Sequence, residues 1–146
     1  MIVEVRNPAL LKVAEFRDLL DRALATLEYP ALLEIEDVVR GMLKNPNYIT
    51  LLGLEAHEYK ALSISALPLH KLDKVPQVIL FYSTGSKALT RALAQQTVDK
   101  IEQKGYNKFW AINRSGRPDA VWQRALTPDG ATSRVIGSIM EFTTNG

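Results

Sequence analysis

No cysteine occurs in these 146 residues, so disulfides and thiolate metal sites are excluded. Histidine is nearly as scarce: His57 and His70 are the only two, and alone they cannot build a rich metal centre. Charge of one sign is missing too. The formal net charge of +2 gives no electrostatic footprint for nucleic acid. Long apolar runs are absent: stretches such as Val78 to Tyr82 are strand-sized, far short of the roughly 20 residues of a membrane span. Neither glycine-rich nucleotide signature, G-x-x-x-x-G-K-[ST] or G-x-G-x-x-G, is present, which argues against a nucleotide-binding module. The opening MIVEVRNP lacks the charged-then-apolar pattern of a signal peptide. Together these absences predict one cytoplasmic domain spanning 1–146, with no metal, no nucleic acid and no membrane. A hydrophobic fraction of 47% supplies an adequate core for a chain of this length.

What is present is concentrated between Val75 and Asn113. This stretch reads VPQVILFY, STGSK, ALTRALAQQTVDKIEQKG and YNKFWAIN. It predicts a strand, a hydroxyl-rich turn, a helix closed by Gly105 and a second strand. A helix that starts at such a turn offers free backbone N–H groups and the positive end of its dipole, which suits phosphate. The same turn is equally an ordinary strand-to-helix connection with Ser83 or Thr84 as its cap.

Elsewhere the pattern is regular. Ile2 to Arg6 alternates as a short strand. Asn7-Pro8 starts a helix with Leu10, Val13, Leu20, Leu24 and Leu27 on one face, ending near Tyr29-Pro30. Ile35, Val38, Val39, Met42 and Leu43 mark a second helix, stopped by Asn45-Pro46. Tyr48 to Glu55 and Tyr59 to Leu67 are strands joined so tightly through Ala56-His57-Glu58 that they must pair antiparallel. Gly53 marks a bulge or a close backbone approach. Leu89, Leu93, Thr97 or Val98, and Ile101 line the long helix. Pro118 opens a short helix, and Ser133 to Phe142 is the last strand. The order is β-α-α-β-β-β-α-β-α-β: an α/β chain with a mixed sheet and helices on both faces. The strands of the Val75–Asn113 unit should be parallel, in a right-handed crossover.

That succession resembles the GNAT acetyltransferase superfamily over nearly the whole chain. The strongest local likeness is GSKALTRALAQQTVDKIEQKGYNKFWAIN. The family's turn is written Q/R-x-x-G-x-G/A; here Tyr82-Ser83-Thr84-Gly85-Ser86-Lys87 stands there, with Gly85 matching the first glycine, Tyr82 replacing Q/R and Lys87 the second glycine. Asn113 matches the family's Asn-led turn. The architecture matches better than the motif, as in the short, degenerate members found in bacteriophages, which this chain resembles. The resemblance implies acetyl-CoA, held by Phe81, Tyr82, Ser83, Thr84, Gly85, Ser86, Lys87, Ala88 and Asn113. Gly85 is then expected to admit phosphate against the backbone, in a conformation of positive φ.

Acyl transfer to an amine needs a base, an oxyanion site and an acid for the departing thiolate. In the family the acid is commonly a Tyr on the helix after the Asn-led turn. Here Trp122 stands at or next to that place, and indole cannot supply the proton. Tyr82 and Tyr106 are the substitutes, the latter at the wrong end of its strand. Candidate bases are Glu55, Glu58 and His70, all with ordinary readings as solvated turn or loop residues. Arg114 and Arg117 could pair with phosphate. Phe109 and Trp110 should face opposite sides of the sheet.

Two functions compete. One is a GNAT-like protein, degenerate at the cofactor turn and the acid position, that acts by binding a partner protein. The other is an acetyl-CoA-dependent N-acetyltransferase acting on an amine of a small molecule or protein. The eroded turn and Trp122 favour the first; the intact element order favours the second.

Overall fold

The computed structural model describes residues 1–26, 47–68, 75–112, 132–136 and 139–143, with Arg124 and Thr127. The elements are β1 (Ile2–Val5), a 3-10 segment (Pro8–Lys12), α1 (Ala14–Ala25), β2 (Tyr48–Glu55), β3 (Glu58–Ala66), β4 (Gln77–Ser83), α2 (Lys87–Gln103), β5 (Lys108–Ile112), β6 (Thr132–Ile136) and β7 (Ile139–Thr143). The helices expected around Ile35–Leu43 and from Pro118 fall outside the described residues, as does His70.

One seven-stranded sheet runs β1-β2-β3-β4-β5-β7-β6. Among the described strands, only β4 and β5 are parallel neighbours; the other pairs are antiparallel. The expected parallel unit around α2 is therefore present. The single last strand is not. Ser133 to Phe142 divides into β6 and β7, paired antiparallel from Ile136–Ile139 to Thr132–Thr143. The signal was Gly137-Ser138, a two-residue hairpin type standing between the two runs.

The first helix also departs from expectation. Asn7 caps it as predicted, its side chain accepting from the Ala9 N–H at 3.0 Å. But Pro8–Lys12 is 3-10, and Val13 breaks the run with an extended backbone (φ −80°, ψ 121°) before α1 begins. A stripe counted through Leu10 and Val13 thus mixes two phases. The buried face of α1 is Phe16, Leu19, Leu20, Ala23 and Leu24, a 3.6-residue period counted from the true start.

Helices α1 and α2 pack on opposite faces of the sheet. Strand alternation sends Leu52, Leu62, Ile64 and Leu80 to the α1 side. Ile49, Leu51 and Ala61 go to the other side, against Leu89 and Leu93 of α2. Further along α2, Ala94, Val98 and Ile101 cover Val78, Phe109, Ala111 and Phe142. Phe109 and Phe142 stack with centroids 4.9 Å apart. One polar link is buried there: Thr97 donates to the Leu93 carbonyl (2.8 Å), leaving Ser63 to donate to the Thr97 Oγ1 (2.8 Å). Among the described residues, no helix is long and apolar enough to cross a membrane.

Two bulges shape the sheet. The β2–β3 register shifts after Gly53–Ala61 to Leu54–Tyr59, leaving Lys60 as the extra residue. Gly53 answers both expectations: it sits at this shift, and a Cβ there would lie 3.0 Å from the Ala61 Cβ. In β3–β4 the register passes from Ser65–Val78 to Ile64–Leu80, so Ile79 is extra. A bulge of this kind increases the local twist. Among the described residues, β4 pairs with β5 at Gln77–Trp110 and Val78–Ala111.

The β2–β3 hairpin turns through Ala56 (φ 50°) and His57 (φ 66°). Two consecutive left-handed residues suit the strand twist, but Asn-Gly fills such a loop at less steric cost. The double substitution Ala56→Asn, His57→Gly should stabilise the protein by about 1 kcal/mol, raising Tm by roughly 4 °C in a thermal melt. An unchanged or lower Tm would show that one of these side chains contributes elsewhere.

Candidate functional site at the start of α2

The STGSK turn is closed by its own hydroxyls. Ser86 caps α2: its extended backbone lets its Oγ accept the Leu89 N–H at 3.1 Å. Thr90 donates to the Ser86 carbonyl (3.0 Å), which leaves Ser83 to donate to the Thr90 Oγ1 (2.7 Å). The Gly85 N–H reaches back to the Ser83 Oγ at 3.3 Å. The hairpin supplies the remaining partners. The Lys60 carbonyl, at the bulge, accepts the Thr84 N–H (2.8 Å) and the Thr84 hydroxyl (3.0 Å).

Glu55, the last residue of β2, meets the cap itself. Its Oε1 accepts the Ser86 N–H at 2.9 Å, and its Oε2 accepts the Ser86 hydroxyl. A carboxylate of the chain thus lies at the positive end of α2, where the sequence points to an external phosphate. Among the described residues, only the Lys87 and Ala88 N–H groups of this turn lack a partner.

This contact fixes the protonation of Glu55. The Ser86 hydroxyl, then the Ser86 amide, hold its carboxyl below the ordinary value, with Lys60 and the N-terminal ammonium adding to the effect against some desolvation. Glu58 is lowered as well, by the Lys60 ammonium 2.9 Å away. A lowered pKa weakens a general base, so neither carboxylate is tuned for proton abstraction.

The other candidate residues scatter. Phe81 turns toward the α2 side of the sheet and Tyr82 toward the α1 side, where it is half-buried against the core. Tyr82 and Glu55 are therefore not brought together as an acid–base pair. Tyr106 packs beside the Val78 and Phe109 cluster. Phe109 is buried, while Trp110 faces the opposite side, its indole N–H buried and without a hydrogen-bond partner among the described residues. His70, Asn113, Arg114, Arg117 and Trp122 lie outside the described residues. No group of three or more His, Asp or Glu among the described residues could hold a metal ion.

Gly85 has a different reason from the one the sequence suggests. Its φ is not positive; Gly105 alone among the described glycines is so placed, at 92°. Instead a Cβ on Gly85 would stand 2.5 Å from Leu89 Cδ2 and 2.9 Å from the Glu55 Oε1. The glycine makes room for the carboxylate and for Leu89. Glu55 was open to notice in the sequence only as a hairpin charge; no spacing rule connects it to a turn 31 residues later.

No family model matches the chain, and no curated sequence is similar to it. Solved structures do match over the whole length. An aminoglycoside 6'-acetyltransferase type Ii superposes with a TM-score of 0.63 at 16% identity, covering 98% of this chain and 96% of its own. An acetyltransferase of the GNAT family from Streptococcus pneumoniae gives 0.62 at 15%, covering 99% of each. A ribosomal-protein-alanine N-acetyltransferase from Brucella melitensis gives 0.63 at 11%, covering 98% of this chain and 99% of its own. At these identities the likeness is one of fold.

Two outcomes test this geometry. Gly85→Val should destabilise the fold by about 1–3 kcal/mol through overpacking, read as a lower denaturant midpoint; an unchanged midpoint would remove the Leu89 and Glu55 contacts from the account. Acidification tests Glu55. Its folded pKa lies below its ordinary value of 4.5, so its contribution is complete above that value and is lost as pH falls through the folded pKa. Stability of Glu55→Gln should therefore fall less than that of the wild type between pH 6 and pH 3; parallel curves would show that the contact contributes nothing.

Proposed function

The chain has the GNAT fold, and on that premise we propose that it acts by binding a partner protein and not by transferring acetyl groups. One observation carries this reading: the Glu55 carboxylate at the start of α2. Acetyl-CoA brings a pyrophosphate, and the residues present do not fit it there. The Ser86 amide is taken, and a fixed negative charge would face the incoming one. Glu55 and Glu58, the candidate carboxylate bases, are both held below the ordinary value.

Binding in place of catalysis is also consistent with an apolar groove of about 450 Å³ beside β1. It is lined by Val3, Val5, Leu10, Val13, Leu54 and Tyr59, and its size falls within the range of ordinary binding sites. In this reading the chain is one of the short, degenerate members of its fold found in bacteriophages, acting in the host cytoplasm or in the virion.

A second reading, an acetyl-CoA-dependent N-acetyltransferase, is favoured by the likeness in fold to acetyltransferases over nearly the whole chain. Thermal shift and calorimetry with acetyl-CoA and free CoA separate the two. Scaffold function predicts no stabilisation at millimolar ligand, whereas a bound cofactor would raise Tm by mass action. Amine-dependent consumption of acetyl-CoA by the wild-type protein would overturn the proposal.

A further inference from the structure

The mismatch between this fold and an anionic cofactor traces to one side chain. Glu55 belongs to a different hairpin from the turn that it closes. It reaches Ser86 because β2 ends there, one residue before the left-handed pair Ala56-His57. The turn is otherwise arranged as an anion seat. The Lys87 and Ala88 amides have no partner among the described residues, and the Lys87 side chain is exposed beside them. Gly85 has no Cβ where one would lie 2.9 Å from the carboxylate oxygen. The room left by that missing side chain is occupied by the carboxylate.

We propose that Glu55 is an internal anion, a ligand that the chain supplies to itself, and that it alone keeps the start of α2 closed to external phosphate. The inference rests on the reading above and names its cause. The carboxylate satisfies the same donors that a phosphate oxygen would, and it arrives without loss of translational freedom, since it is covalently part of the chain. An external anion must therefore displace it and tolerate its charge nearby. Removal of the carboxylate lifts both obstacles. The Ser86 amide then joins those of Lys87 and Ala88 as a free donor at the positive end of a 17-residue helix.

The probe is inorganic pyrophosphate, applied to the full chain as wild type, Glu55→Ala and Glu55→Gln. Glu55→Ala should melt at a lower temperature than the wild type, and pyrophosphate should restore part of the loss while leaving wild-type Tm unchanged. Calorimetry should give Glu55→Ala an affinity at least about tenfold above that of the wild type, and the amide resonances of Ser86, Lys87 and Ala88 should move on titration. Glu55→Gln removes the charge and keeps an acceptor for Ser86, so it should show a smaller gain. If Glu55→Ala does not fold unaided, refolding in pyrophosphate should recover it, and failure to recover would count against the proposal. Wild-type protein that binds pyrophosphate as tightly as Glu55→Ala overturns it, as do variants that fold and bind none. These outcomes are independent of acetyl transfer. Turnover of acetyl-CoA by the wild type would sink the proposed function, whereas an unresponsive Glu55→Ala in a non-catalytic protein would sink the internal anion alone.

Discussion

Strand β4 is bonded along its length to β3, and the arrangement at the start of α2 depends on that ladder. Ile79 bulges out of the β3 ladder, which resumes at Ile64–Leu80 and runs to Ala61–Ser83. The start of α2 is then secured from the β2–β3 side: Lys60 accepts from Thr84, Glu55 accepts from Ser86, and Leu89 packs against Gly85 and Ile49.

The electrostatics of this corner favour an anion for general reasons. A helix start concentrates partial positive charge over its first turn, and unpaired N–H groups there cost free energy if water is excluded. The usual remedies are a capping side chain and an external ligand. Here Ser86 provides the cap, and Glu55 reaches the same cap from across the structure. The Ser86 donors that hold the Glu55 pKa below its ordinary value favour its ionised form and so disfavour its use as a base.

Local signals in the sequence were sufficient for much of the fold. Alternation in Tyr48–Glu55, the shortness of Ala56-His57-Glu58 and the 3.6 period of Leu89, Leu93, Thr97 and Ile101 each report contacts within one element or between neighbours. They led to the hairpin, the helix and the parallel crossover. The misreadings came where one local rule hid another. Pro8 starts a 3-10 turn as readily as an α-helix, so the apolar stripe was counted from the wrong residue. Gly137-Ser138 was read through as strand. The candidate site was less legible because its deciding contact is non-local. Glu55 and Ser86 meet only through the β2–β3–β4 register, and side-chain reach across a sheet end leaves no pattern in either segment. Gly85 shows the same limit: its lack of a Cβ was visible as a turn preference, but the atoms that require it belong to Leu89 and Glu55.

The two-residue loop after Glu55 acquires a consequence from this. Hairpin tips ordinarily tolerate added residues, because only solvent meets them. This tip is held by position. A one-residue slip of β2 against β3 would carry Glu55 to the opposite face of the sheet, and a lengthened loop would loosen the Leu54–Tyr59 and Glu55–Glu58 pairs that aim it. The loop thus works as a spacer of fixed length for the start of α2, and this otherwise ordinary surface turn is a poor place to insert a tag or to open the chain by circular permutation.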